Sequence, residues 1–260
     1  ERACVHPRWI PSMAETEEVL GGLEKPGEAQ YATLVPNMVG FQKALSAGAD
    51  EVSIVLAVSN THNQKNINAA TEDALQRYHA VVVAARENKI PFRAYVSCAF
   101  GCPYEGKVEI AHVVEVAKKL HELGAYELSI GDTIGVGNPS QTKELVHALK
   151  QEIPLDAIAM HLHDTRGTAL ANILAAYEAG VTAFDSAAGG LGGCPYAPGA
   201  SGNVATEDVV YMFETMGVHT GVNLDLLVSA SEKIQNLLGR NFPSKAYQAV
   251  IAERHASECE

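Results

Sequence analysis

Short β-branched runs alternate with longer amphipathic stretches along almost the whole chain. Tyr31–Val35, Glu51–Ala57, Phe92–Ser97, Tyr126–Ile130, Ala157–His163 and Thr182–Ser186 read as strands. The stretches between them read as helices: 38–48, Ile67–Glu87, 108–123 before Gly124, Pro139–Glu152, and Thr168–Ala179 before Gly180. Strand–helix–strand repetition with short links builds a parallel sheet. Polar residues gather just after the strands, at Asn37, Asn60, Cys98, Asp132, His163 and Gly189. That is the signature of an α/β (β/α)8 TIM barrel, whose site lies at the strand C-termini. A doubly wound sheet is the alternative, and it would place ligands at one switch point.

Six clear strands, with 1–5 as the end of a seventh, are fewer than a barrel needs, and residue 1 is not methionine. The expectation is that the first βα unit and part of the second strand are absent from this sequence. The 260 residues otherwise read as one catalytic domain, with a C-terminal helical extension from about 205.

A net charge of −12 argues against nucleic acid or an anionic membrane as partner, and no run approaches the roughly 18 apolar residues of a membrane span. Five cysteines are an odd set in a long chain, which favours a reducing compartment over a disulfide scaffold. Cys4, Cys98 and Cys102 are expected to be small buried hydrophobes.

Four segments carry candidate chemistry. His161 and His163 lie two apart on one strand, so their imidazoles share a face and suit a divalent ion, although one could merely pack or cap. Asn203 offers a hard oxygen ligand, with helix N-capping as its alternative. A mixed set of this kind suits Mg²⁺ or Mn²⁺ better than structural zinc. The run Gly189-Gly190-Leu191-Gly192-Gly193-Cys194 leaves a thiol on a backbone with little conformational preference. It reads as a flexible lid over Gly192 and Gly193 that delivers Cys194 as a catalytic proton donor or acceptor. Asp132 orients a substrate hydroxyl or a histidine, or else caps a turn. Tyr95 and the neighbouring Thr133 are candidate substrate contacts. Lys65 and Asn66 read as a solvated loop with a possible role toward an anion.

Taken together, these residues resemble the 3-hydroxy-3-methylglutaryl-CoA lyase family. The likeness runs through 7–11, Tyr31–Asn37, Lys65–Asn68, Tyr95–Cys98, Gly101–Gly106, Gly131–Val136, His161–Thr165 and, most specifically, Asp185 to Tyr196. The resemblance implies metal-dependent cleavage of 3-hydroxy-3-methylglutaryl-CoA to acetoacetate and acetyl-CoA. It implies His161, His163 and Asn203 as metal ligands, Cys194 and Asp132 as catalytic residues, and Tyr95 and Thr133 at the substrate. An acyl-CoA partner and a homodimer or higher homo-oligomer follow by the same likeness. The compartment would be the cytoplasm in a bacterium, or an organelle matrix in a eukaryote after loss of a leader.

This sequence also departs from the family. The Arg-Asp pair expected on the first strand is not among these residues, Gly239-Arg240-Asn241 replaces an Asn-Arg-Lys pattern, and position 189 is Gly rather than Ala, which is expected only to loosen the lid. Two other readings therefore remain: a 2-oxo-acid aldolase or Claisen-type synthase on the same scaffold, and an inactive metal- or CoA-binding fragment.

Overall fold

A computed structural model describes residues 2–4, 13–25, 27, 29–192 and 202–257. Its centre is a seven-stranded parallel sheet in strict sequence order. The strands are β1 (Arg2–Ala3), β2 (Ala32–Leu34), β3 (Glu51–Ala57), β4 (Phe92–Ser97), β5 (Glu127–Asp132), β6 (Ile158–Leu162) and β7 (Ala183–Asp185). Sequential parallel pairing with a helix at each crossover is the (β/α)8 pattern rather than the doubly wound one, which reverses strand order. The first strand lies where the sequence placed the end of a seventh.

The helices on the outer face are α1 (Thr16–Gly22), α2 (Met38–Ser46), α3 (Asn60–Ile67), α4 (Thr71–Glu87), α5 (Ile110–Leu123), α6 (Pro139–Leu149) and α7 (Ala169–Glu178). Three more follow the last strand: α8 (Thr206–Thr215), α9 (Leu224–Leu238) and α10 (Lys245–Ser257). None of the described helices is long and apolar enough to cross a membrane.

Alternation divides each strand between two faces. Ile54, Leu56, Ala94, Val96, Leu128, Ile130, Met160 and Leu162 point outward and pack with Val81, Val116, Leu120, Leu145 and Ile173 in one hydrophobic core. The other face of the sheet carries Ser53, Arg93, Tyr95, Glu127, Ser129 and His161, and the register aligns them across neighbouring strands. Cys4, Cys98 and Cys102 are all buried, as expected of small hydrophobes.

One element differs from the sequence reading. The stretch read as a solvated loop around Lys65 is the helix α3, and the long helix begins only at Thr71. Helix α3 has no apolar stripe; instead the Ser59 side chain accepts from the His62 N–H at its start, and Asn68 ends it in a left-handed conformation at φ 48°. Lys65 is exposed on this helix, with its ammonium 3.8 Å from the centroid of the Tyr104 ring, a cation–π contact.

The bond that holds α3 to the sheet comes from Asn63. Its Oδ1 accepts from the Ala57 N–H at 2.7 Å, and its Nδ2 donates to the Ala57 carbonyl at 2.8 Å and to Thr71 Oγ1 at 2.9 Å. One buried amide thus satisfies both backbone groups at the end of β3. Asn63→Ala would leave both without partners, each costing about 1–3 kcal/mol. We expect a loss of about 3 kcal/mol of unfolding free energy by urea titration; a change under about 0.5 kcal/mol would contradict this account.

Candidate active site

The site grows from the inner face of β4 to β7. Asp185, at the end of β7, receives hydrogen bonds from three directions. Arg93 donates from Nη2 at 2.8 Å and Nη1 at 3.3 Å, Ser129 Oγ donates at 2.6 Å, and His161 Nδ1 lies at 3.1 Å. Burial pushes the Asp185 pKa upward. Hydrogen bonds and charge from His161 and Arg93 more than offset it and hold the carboxyl well below the usual carboxylate range. Arg93 also pairs with Glu127 at 2.6 Å through Nε, and its Nη1 donates to the Tyr95 hydroxyl at 2.7 Å.

The Asp185 carboxylate fixes the tautomer of His161. With Nδ1–H given to Asp185, the lone pair of His161 lies on Nε2, which faces His163 Nε2 at 3.3 Å. His163 is buried, and burial together with the neighbouring His161 pushes its pKa down to about 4, against opposing pulls from the Asn203 side chain and the Thr133 backbone. Two imidazoles whose Nε2 atoms converge form a donor set that a divalent cation can use. Among the described residues, no group of three or more His, Cys, Asp or Glu side chains forms a cation site.

Asn203 stands beside that pair. Its backbone bridges to His163, and Val204 N–H donates to the Leu162 carbonyl at 3.2 Å, which brings 203 alongside the end of β6. Its Nδ2 donates to the Leu191 carbonyl at 3.0 Å. It is not the N-cap of α8, because that position is Ala205 and no side chain caps there.

The other candidates are placed as follows. Tyr95 is half-buried and sets its ring edge-on to His161, with centroids 6.0 Å apart. Asp132 is 0% exposed, and its two oxygens accept from the Val136 N–H at 3.0 Å and the Gly137 N–H at 2.7 Å. That is the turn-capping geometry of its two sequence readings. At Gly137 an added Cβ would lie 2.7 Å from the Phe100 ring and 2.9 Å from Asp132 Oδ2, so only glycine lets the turn close over the carboxylate. Thr133 accepts the Cys98 N–H on its hydroxyl at 2.8 Å and ties the ends of β4 and β5 together. Gly192 is described, with φ 96°. Gly193, Cys194 and Cys259 lie outside the described residues.

Gly189 lies in the turn after β7. It takes φ 63°, and a Cβ there would stand 2.2 Å from the Phe242 ring. Glycine at 189 admits Phe242 against the turn.

Comparison with known proteins agrees with this architecture. The HMGL-like family model matches residues 5–234. The chain belongs to the HMGL-like family. Among HMGL-like relatives, the mitochondrial hydroxymethylglutaryl-CoA lyase of Rattus norvegicus is 53% identical over 245 residues, covering 94% of this chain and 75% of that protein. The crystal structure of hydroxymethylglutaryl-CoA lyase from Pseudomonas aeruginosa superposes with a TM-score of 0.93 at 44% identity, over 97% of this chain and 84% of that one. An HMG-CoA lyase from Acinetobacter baumannii, solved with coenzyme A and 3-methylmalate, superposes at 0.92 with 38% identity, over 95% and 81% of the two chains. This HMGL-like chain therefore has the TIM-barrel-type fold of those lyases.

Arg93, Ser129, Glu127 and Asp185 escaped the sequence reading as functional residues. A signal was present: Arg93 and Tyr95 alternate within a strand whose other face is apolar, so an arginine must point into the interior of the sheet. Replacing Arg93 with Met would leave Glu127 and Asp185 facing each other without a cation. We expect a loss of about 3–5 kcal/mol in chemical unfolding. Arg93→Lys should recover only part of it, since one ammonium cannot reproduce the planar fork that meets both carboxylates.

Proposed function

We propose that this chain is a metal-dependent carbon–carbon lyase that cleaves 3-hydroxy-3-methylglutaryl-CoA to acetoacetate and acetyl-CoA. The observation that carries the reading is 53% identity, across 94% of the chain, with a relative that bears this activity in its name. The His161–His163 pair supports it, because its two imidazole nitrogens suit a divalent cation, and the chemistry needs such an electrophile beside the substrate's hydroxyl. The fit extends to the acyl-CoA partner, since a neighbour at 38% identity was solved with coenzyme A. In this reading residues 1–260 act as one catalytic domain, and the helices after about 205 are its extension.

In this reading His161, His163 and Asn203 would hold a divalent cation, Mg²⁺ or Mn²⁺, which would supply Lewis acidity at the substrate's C3 hydroxyl. The chain's own residues then divide the remaining work. Asp185 keeps His161 in the tautomer whose Nε2 is free to act as a donor, and Arg93 keeps Asp185 ionised. Tyr95 borders the substrate on the inner face. Asp132 and Thr133 hold the turn after β5 in place, so the role assigned to Asp132 is positioning rather than proton transfer. Transfer of the C3 hydroxyl proton to solvent water lets the C2–C3 bond break. The hydroxyl carbon becomes the ketone of acetoacetate, and the bond's electron pair leaves on the thioester fragment as an enolate. Cys194 gives that enolate its proton, which completes acetyl-CoA.

Self-association is also part of the reading. Helix α9 leaves Leu226, Leu237 and Leu238 exposed at 70%, 87% and 51%, apolar surface suited to a second copy of the chain. The compartment is proposed as the cytoplasm of a bacterium, or the matrix of an organelle in a eukaryote.

The test is acetoacetate release from 3-hydroxy-3-methylglutaryl-CoA by protein loaded with Mg²⁺ or Mn²⁺. We expect turnover with either ion, and a Cys194→Ala variant slower by about 10²–10⁴-fold, the range for loss of a general acid. Folded, metal-loaded protein that turns over a 2-oxo acid but not the thioester would replace this reading with the aldolase one. No turnover of either would favour a binding protein.

A further inference from the structure

The first turn of α8 carries two adjacent acidic residues, and the first is unusual in what it holds. Glu207 is 0% exposed. A carboxylate at that place commonly serves its own helix, whose first N–H groups lack partners. Here both Glu207 oxygens instead accept from the backbone N–H of Gly189, at 3.0 and 2.9 Å, across the gap to the turn after β7. The buried Ser231 hydroxyl on α9 donates to the same carboxyl group.

The turn so held is packed from the other side. The Phe242 ring fills the space a Cβ at 189 would need, and the Gln235 side chain accepts from the Phe242 N–H at 3.0 Å. Two residues on, the Leu191 carbonyl accepts from Asn203 Nδ2 at 3.0 Å. An Asn side chain has two faces, one donor and one acceptor, and a half-turn about its last torsion exchanges them. Committing Nδ2 to Leu191 therefore decides which way the amide oxygen points.

We propose that Glu207 is a positioning residue. Through Gly189 and Leu191 it sets the Asn203 amide so that its oxygen is presented at the His161–His163 pair. Ser231 orients Glu207, which links α9 to the site. The proposal rests on the reading of Asn203 as a ligand, and it extends that reading to residues that touch neither ion nor substrate. It also accounts for a buried acid that makes no ion pair among the described residues.

A double-mutant cycle on Mn²⁺ affinity tests it, with free Mn²⁺ followed by electron paramagnetic resonance. We expect Glu207→Ala to weaken Mn²⁺ binding about 10-fold or more, in the range seen when a metal ligand loses its support. Glu207→Gln retains an oxygen for the Gly189 N–H and should stay within about 3-fold of the parent. In an Asn203→Ala background, Glu207→Ala should add little, because its route to the ion has been removed. Hydrogen exchange at the Gly189 amide should accelerate in Glu207→Ala. If that variant does not fold, Ser231→Ala, which removes a single donor, carries the same cycle with a smaller effect. An equal loss in both backgrounds, or none in either, overturns the proposal. Wild-type affinity in Asn203→Ala would instead overturn the ligand reading, and with it this inference, while Gly189 exchange would still show whether Glu207 holds the turn.

Discussion

The site depends on one carboxylate. Asp185 ends β7, yet its partners come from β4, β5 and β6 as well, so a single group joins the last four strands on the inner face. A carboxylate can do this because it accepts at two oxygens from several donors at once. Burying it would ordinarily cost several kcal/mol, and the cost is met here by a guanidinium, a hydroxyl and an imidazole N–H. The arrangement also orients His161: its Nδ1 faces Asp185, which directs Nε2 at His163. Structural cohesion and ligand preparation are thus the same set of bonds. A substitution at Arg93 that first registers as instability would also disturb the histidine that Asp185 orients.

Around this hub, side chains at the strand ends mostly serve backbone groups. Asn63 satisfies Ala57, Asp132 satisfies the turn to Gly137, and Asp164 accepts from the Ala169 N–H at 3.0 Å to start α7. Arg166 donates to the Ile134 and Gly135 carbonyls at 2.8 and 3.0 Å and ties one loop to the next. The mouth is therefore a ring of loops whose unpaired backbone groups are answered by nearby polar side chains. Rigid loops of this kind suit a site whose ligands come from several different strands.

That ring explains what could be read from sequence and what could not. The strands were legible because β-branched runs with turn residues on either side have few alternatives, and the bounds of β3 and β4 match residue for residue. The histidine pair was legible because a two-residue spacing on a strand has only one geometric meaning. Asp132 was ambiguous for a physical reason: a polar residue after a strand satisfies a turn and lines a site with equal ease, and only the bonds at its oxygens distinguish the two. Helix α3 was missed because a surface helix held by Ser59, Asn63 and Asn68 needs no apolar periodicity. Arg93 and Asp185 were missed because their ion pair joins residues 92 positions apart in the chain, at the start of β4 and the end of β7. No local pattern could supply that pairing.

Helices α8 to α10 extend the argument beyond the barrel. Glu207 reaches back to the turn after β7. Its neighbour Asp208 reaches the opposite way, accepting from Ser244 Oγ at 2.8 Å and the Ala246 N–H at 2.7 Å at the start of α10. Successive residues in a helix point about 100° apart, so one turn can grip two different elements. The first turn of α8 is consequently a joint between the C-terminal helices and the mouth of the sheet. Phe242, which precedes α10, closes the same joint by resting on Gly189. A displacement of α10 would be passed through Asp208 and Phe242 to the turn that holds Asn203. Whatever fixes the C-terminal helices, including a second copy of the chain against the exposed leucines of α9, would then steady the amide oxygen beside the histidines.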